Sequence, residues 1–282
     1  MILITGSSGF LGTNLINYFI NKKIKFIGID KKKNQYIKSL NFKKIDITDL
    51  NKTEKLFQRL KPKTVIHLAA ISGVGSCQDD IKNAFKTNVI GSFNILYLSK
   101  KYNCKKILVA SSFASSNFEV QPNYYGYTKR NLDNMSLTFK KNFNLNVGVL
   151  KFSNIYGPFS LHKNSAIHQI IKNNINKKKF QIHGSGKQSR DFIFVNDVIK
   201  SISSLLRKKK VPLVNYIHTK KFIQLVEVIK IINKISNNDT ILKYVNAPSG
   251  YDVRIKNNFN KPTKQLILNL KKTFNWYRSN FK

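Results

Sequence analysis

Over roughly the first half of the chain, short apolar runs alternate with longer stretches whose apolar residues recur at helical spacing. The runs at Ile2 to Thr5, Lys25 to Ile29, Thr64 to Leu68, Lys106 to Ala110 and Asn146 to Leu150 predict strands. Leu11 to Asn21, Lys52 to Leu60, Ile81 to Tyr102 and Tyr125 to Asn142 predict the helices between them. Strands of nearly continuous apolar character, alternating with helices, predict an α/β fold built on a doubly wound parallel sheet. Beyond Gly157-Pro158 the rhythm changes: a helix is predicted from Ser165 to Asn176, a turn at His183-Gly184-Ser185-Gly186, and an apolar run at Phe192 to Val195. The tail from Phe222 is mixed and lysine-rich. The expected organisation is a domain over 1–158 and a smaller C-terminal lobe over 159–282, with part of 190–218 returning to the first domain. In open α/β sheets ligands bind at the carboxyl edge, so the candidate chemistry belongs there.

Composition narrows the partners. Apolar runs reach only about ten residues, well short of the roughly 20 that cross a bilayer, so no membrane insertion is expected. The segment Met1-Ile2-Leu3-Ile4-Thr5-Gly6 reads as a core strand and turn rather than a leader, which favours the cytoplasm. Cys77 and Cys104 make no disulfide framework and show no metal-ligand spacing, so no metal is expected. The net charge of +37 and pI near 10.2 point to polyanions. The competing explanation is codon bias, because the lysines are dispersed and accompanied by abundant Asn, Ile, Phe and Tyr. The densest runs, Lys31 to Lys33, Lys177 to Lys179 and Arg207 to Lys210, fall where solvated loops or helix ends are expected. Weak adhesion to anions follows, with no specific nucleic-acid partner.

Directly after the first strand comes Thr5-Gly6-Ser7-Ser8-Gly9-Phe10-Leu11-Gly12, opening into a helix. Gly6 permits a tight turn, Gly9 lets backbone approach a pyrophosphate, Gly12 allows close helix packing, and the helix N-terminus favours the anion. The second strand ends at Gly28-Ile29-Asp30, placing a carboxylate to accept from the hydroxyls of an adenosine ribose. This favours NAD over NADP, since Asp30 would repel a 2'-phosphate, although Lys31 to Lys33 argue the other way. The pattern resembles the extended short-chain dehydrogenase/reductase family, with later segments matching in order along most of the chain. The resemblance implies a Rossmann fold, with a cofactor site that adds Ser8, Phe10 and Leu11 of the turn, Asp46-Ile47 beside the adenine, Leu68, Ala69 and Ala70 at a strand end, Asn88 in the following helix, and Ala110. His67 reads more readily as a satisfied buried histidine than as a catalyst.

Oxidation at an alcohol carbon needs a base for the hydroxyl proton, and a phenol serves near neutral pH only with a pKa well below about 10. Tyr125 and Lys129 lie four apart on one helix face, where an ammonium could lower that pKa. The same spacing occurs at Tyr18/Lys22, Tyr97/Lys101, Tyr102/Lys106 and Tyr216/Lys220; only Tyr125 follows a strand end by a short loop. The segment Val109-Ala110-Ser111-Ser112 resembles the family's strand end, which implies that Ser112, in preference to Ser111, bonds the substrate oxygen. The stretch Leu150 to Pro158 resembles one whose Asn, here Asn154, contacts the nucleotide diphosphate. The stretch Gly184 to Val198 resembles one whose Arg, here Arg190, meets a phosphate, a role that suits a guanidinium.

Departures matter too. Phe113 and Ala114 stand where sugar 4,6-dehydratases and decarboxylating relatives keep acids, which disfavours elimination. Ser116-Asn117 replaces the usual Tyr-Gly, and the Phe118 to Tyr124 loop is short. No Arg stands near Pro248-Ser249-Gly250, and Arg254 is only an approximate substitute. The resemblance thus implies NAD-dependent epimerisation of a nucleotide sugar at the 4-position through a 4-keto intermediate, with the C-terminal lobe binding substrate and a homodimer admitted. The alternatives are a nucleotide-sugar ketoreductase and, in another class, a noncatalytic relative that senses dinucleotide or binds RNA.

Overall fold

The computed structural model describes residues 1–38, 41–116, 122–246 and 259–281. The expectations placed on Asn117, on the 118–121 part of the short loop, on Pro248-Ser249-Gly250 and on Arg254 lie outside the described residues. The chain divides into two compact units, Met1–Phe152 with Ile199–Ile217, and Ser153–Val198 with His218–Lys282.

From the N-terminus the chain forms β1 (Ile2–Thr5), α1 (Phe10–Asn21), β2 (Phe26–Asp30), β3 (Phe42–Lys44), α2 (Leu50–Leu60), β4 (Thr64–His67), α3 (Val74–Asp79) and α4 (Ile81–Phe85). There follow α5 (Ser92–Lys101), β5 (Lys106–Ser112), α6 (Phe113–Ser116), α7 (Tyr124–Phe143) and β6 (Val147–Phe152). The second unit begins with β7 (Asn154–Tyr156), α8 (Ala166–Ile175), β8 (Phe180–His183) and β9 (Ser189–Phe194). Helix α9 (Val195–Arg207) returns the chain to the first unit for β10 (Val214–Ile217), after which β11 (Phe222–Gln224), α10 (Leu225–Ser236), β12 (Leu242–Val245) and α11 (Lys264–Asn280) complete the second.

The first unit carries a parallel sheet of order β10-β6-β5-β4-β1-β2-β3, the doubly wound Rossmann arrangement. Helices on the faces bury the sheet on both sides, which is why β4, β5 and β6 read as unbroken apolar runs. Leu3, Val65, Ile107, Val109, Val147 and Val149 pack from the strands against Phe57, Ile95, Leu98, Leu132 and Phe139 from the helices. Strand β1 lies between β2 and β4, so the chain leaves it in opposite directions and opens a crevice at its carboxyl end.

The helix expected from Ile81 to Tyr102 is interrupted. Between α4 and α5 the chain makes a wide π-type turn over Lys86–Gly91. The Asn88 side chain accounts for it: Oδ1 accepts from the Ile71 amide at 2.8 Å, while Nδ2 donates to the Ile71 carbonyl at 2.9 Å and lies 3.1 Å from Thr128 Oγ1. Strand β3 escapes periodicity because none of its three residues is fully buried and Lys44 is exposed. In the second unit, β11-β9-β7 and β12-β8 form two small sheets. The lysine-rich tail is largely helical there: α10 and α11 each bury one face, through Val228, Ile229 and Ile232 and through Leu266, Leu270, Phe274 and Tyr277.

Candidate active site

Strand β1 ends at Thr5, and the backbone turns at Gly6 with φ +69°. A Cβ at Gly6 would lie 2.5 Å from the Ala69 nitrogen, and one at Gly12 only 2.1 Å from the Gly6 carbonyl oxygen, so neither position admits a side chain. Gly9 caps α1 and, having no side chain, makes no cap bond to the first helical turn. Those amides and the aligned helix suit an anion. Asp30, at the end of β2, accepts from the Ser8 amide at 3.1 Å and from the Lys32 amide at 3.2 Å. Burial raises its carboxyl above the usual range, opposed by these backbone bonds and by Lys31. The side-chain-free turn, the uncapped helix start and the carboxylate at its rim fit a dinucleotide whose adenosine ribose meets Asp30. Asp46 and Ile47 follow β3, with Asp46 exposed and Ile47 buried against Gly91. Phe10 is buried, and Leu11, Leu68, Ala69, Ala70 and Ala110 are partly buried.

Asn34 was not foreseen. Its Nδ2 donates to the Ser7 carbonyl at 3.2 Å and lies 2.9 Å from Thr13 Oγ1, and its Oδ1 accepts from the amides of Tyr36 and Ile37. It pins the loop after β2 to the glycine turn. The available signal was an Asn directly after three lysines, where a turn-forming side chain is needed.

Strand β5 brings Ala110, Ser111 and Ser112 to the carboxyl edge, and α7 places Tyr125 and Lys129 beside them. The Ser112 side chain stands beside the Tyr125 phenol and favours its ionised form, and the Lys129 ammonium donates to the Ala110 carbonyl at 2.7 Å while standing 5.9 Å from the Tyr125 ring centre. Burial pushes the Tyr125 phenol up to about 12, with Ser112 opposing, and pushes Lys129 down to about 8, with Asp133 opposing. The expected depression of the phenol is therefore not produced by the protein's own groups. Desolvation dominates at the phenol, and the ammonium is directed to a backbone carbonyl. Ser111 Oγ is buried without a hydrogen-bond partner among the described residues. His67, paired in register with Thr5, is buried between Thr5 Oγ1 at 2.7 Å and Ser92 Oγ at 2.9 Å. Burial holds it neutral by lowering its pKa to about 3. Of the other Tyr/Lys spacings, Tyr102 donates to Glu54, Tyr18 meets Ser203 and Tyr97 is exposed on α5, while the Tyr216 ring packs beside the corner against Phe113 and Lys151.

In the second unit, Asn154 on β7 and Arg190 on β9 line one cavity of about 70 Å³ together with Tyr156, Ser165 and Phe192. Asn154 Nδ2 donates to the Asp191 carbonyl at 3.1 Å. The Asp191 carboxylate accepts from Ser153 Oγ at 2.9 Å and from the Thr219 amide at 3.0 and 3.1 Å. Arg190 donates to its neighbour's carbonyl, Ser189 O, at 2.9 Å.

A parallel sheet with this turn, this carboxylate and a Ser-Tyr-Lys set at one edge defines an enzyme of the dinucleotide-binding α/β class. Residues 2–215 match the model of the NAD dependent epimerase/dehydratase family, and the chain belongs to that family, whose cofactor is NAD. The chain is 25% identical over 312 aligned positions to UDP-glucuronate 4-epimerase of Thermodesulfobacterium geofontis, covering 99% of this chain and 96% of that one. It is 27% identical over 336 positions to dTDP-glucose 4,6-dehydratase of Haemophilus influenzae, covering 99% and 98%. Among solved structures, UDP-glucose 4-epimerase of Thermotoga maritima with UDP-glucose superposes with a TM-score of 0.86 at 24% identity, covering 100% and 99%, a likeness of fold.

Proposed function

We propose that this enzyme epimerises a nucleotide-linked hexose at its 4-hydroxyl, with a UDP-sugar the first candidate from the names of its relatives. The observation that carries the reading is the assembly of Ser112, Tyr125 and Lys129 at the edge of the sheet that also bears the glycine turn. In this reading Met1–Phe152 and Ile199–Ile217 make the NAD-binding domain and the remainder binds substrate. NAD, when bound, supplies the hydride acceptor and donor. Tyr125 takes the proton of the 4-hydroxyl as that carbon becomes a ketone and returns it to the opposite face's alcohol; Ser112 hydrogen bonds the same oxygen and holds it against the phenol. Lys129, joined by the positive nicotinamide of bound NAD, would supply the charge that favours the phenolate and would hold the nicotinamide ribose, while Asn154 and Arg190 would hold the diphosphate. Phe113 and Ala114 offer no acid for elimination, which favours epimerisation over dehydration although a dehydratase is among the relatives. Mass spectrometry of copurifying nucleotides, followed by NMR of a UDP- and dTDP-sugar panel, tests the activity; accumulation of a 4-keto-6-deoxy product instead of the 4-epimer would overturn it.

Two further elements belong to this reading. No helix among the described residues is long and apolar enough to cross a membrane; as part of the same proposal we place the enzyme in the cytoplasm. We also propose a homodimer through α5 and α7, because Phe93, Tyr97 and Phe143 are exposed and form one aromatic face with Phe139. Light scattering should give twice the 32.5 kDa chain mass, and Phe93→Glu should give the monomer.

A further inference from the structure

We infer that Asp133, held by Lys151, is a positioning residue for the reaction, setting both the turn that carries Ser112 and the ammonium of Lys129. The inference rests on the reading of Ser112, Tyr125 and Lys129 as the catalytic set.

Only 13 acids accompany 50 lysines and arginines in this chain, so an acid buried beside that set is a distinctive choice. Asp133 lies on α7 one turn beyond Lys129, inside a helix where Asp is an unfavourable residue. Its Oδ2 meets Lys151 Nζ at 3.0 Å, with the two side chains 13% and 11% exposed, and lies 2.7 Å from Ser115 Oγ. Its Oδ1 is buried with no hydrogen-bond partner among the described residues. Lys151, on β6, also donates to Ser116 Oγ at 2.8 Å.

Ser115 and Ser116 belong to α6, a helix of four residues that starts directly after Ser112. So short a helix does not hold itself. Within it Ser112 Oγ accepts from the Ala114 amide at 3.1 Å, and Ser115 Oγ lies 2.8 Å from the Ser112 carbonyl oxygen. From outside, Asp133, Lys151 and Arg130, whose guanidinium donates to the Ser115 carbonyl at 3.3 Å, fix its place. The orientation of the Ser112 hydroxyl therefore depends on the Asp133–Lys151 pair.

A buried ion pair loses hydration that its attraction barely offsets, and an unpartnered oxygen adds to that cost. Holding α6 accounts for one oxygen of Asp133; the field at Lys129 accounts for the charge. The ionisable groups acting with Lys129 are Tyr125 and, one helical turn on, Asp133 on α7, Cys77 on α3 and His67 on β4, and Asp133 is itself paired with Lys151. Burial pushes Cys77 up to about 11 and His67 down to about 3, so near neutral pH both are uncharged. Asp133 is the carboxylate of this group, and it opposes the desolvation that brings Lys129 down to about 8.

The test measures NAD affinity of the whole chain by calorimetry from about pH 6 to about pH 10, a range spanning the values open to a buried lysine. The parent should lose affinity through an inflection where Lys129 loses its proton. Asp133→Asn should move that inflection down by about one pH unit, and Asp133→Glu, which keeps the charge, should return it toward the parent. The double variant Asp133→Asn with Lys151→Met leaves no lone buried charge and should show the low inflection as well, which guards against a fold defect in the single variant. The alkaline limb of kcat should move in the same direction. A parent without an inflection, an Asp133→Asn inflection at the parent position, or an equal loss at every pH would overturn the inference, the last marking a merely structural role. Inflections as expected without turnover of any nucleotide sugar would sink the proposed activity alone.

Discussion

The glycine turn and the catalytic corner stand at strand ends of the same sheet and are built in opposite ways. The turn is made by the absence of side chains: Gly6 and Gly12 have no room for a Cβ, and the groups it offers a ligand are backbone amides and one carboxylate. The corner is made by side chains that burial works against, a phenol raised to about 12 and an ammonium lowered to about 8. Steric exclusion is absolute and local, whereas an electrostatic balance is graded and gathers contributions from several elements. Damage to the turn should therefore fall on binding, while loss of the phenol should leave binding and change the rate.

The largest effect should come from the corner. Tyr125→Phe is expected to keep NAD binding and lose roughly two to four orders of magnitude in turnover, the range for removing a general acid or base; Tyr97→Phe, on an exposed face, should turn over at the parent rate. A Tyr125→Phe enzyme as fast as the parent on a verified substrate would break the comparison at its centre. Next is the turn. Gly12→Val places carbon against the Gly6 carbonyl and should weaken NAD binding on the order of 10- to 100-fold, the cost of forced overpacking, and calorimetry on folded protein reads it directly.

Asp30→Ala asks whether the carboxylate at the turn acts on the ribose. About a tenfold loss for NAD with a relative gain for NADP is expected, since one charge-assisted bond and one repulsion disappear together. Tighter binding of NADP by the parent would reverse the reading of Asp30. The smallest effect concerns stability. His67 is buried neutral with its folded pKa, about 3, below its unfolded value of 6.5. The unfolded chain therefore binds the proton first, and this contribution is present above about pH 6.5 and lost as pH falls toward 3. It adds a slope of about 1.4 kcal/mol per pH unit, which His67→Gln should remove from urea titrations between about pH 6 and 4. His168, lowered in the same way within the second unit, keeps its own slope. A variant with the parent's pH dependence would show that His67 titrates normally.

What could be read in advance divides along the same line. The parallel sheet was legible because burial on both faces writes unbroken apolar runs into β4, β5 and β6, and the turn was legible because its steric demands fall on neighbouring residues. The break at Lys86–Gly91 in the helix expected from Ile81 was not, because it follows from Asn88 bonding a backbone segment 17 residues away. The helices of the lysine-rich tail were obscured because composition, rather than the spacing of Leu266, Leu270, Phe274 and Tyr277, dominated the pattern.

By itself, then, the sequence determined the five central strands of the sheet, the glycine turn with Asp30, and the candidacy of Tyr125 and Lys129, since each rests on apolar runs or on the order of neighbouring elements. Tertiary structure alone decided the protonation balance of the corner. That balance depends on how deeply Tyr125 and Lys129 are desolvated, on Lys129 turning to the Ala110 carbonyl, and on a carboxylate at Asp133 paired with a lysine from β6. Desolvation is a property of everything packed around a charge, and no local pattern of residues records it.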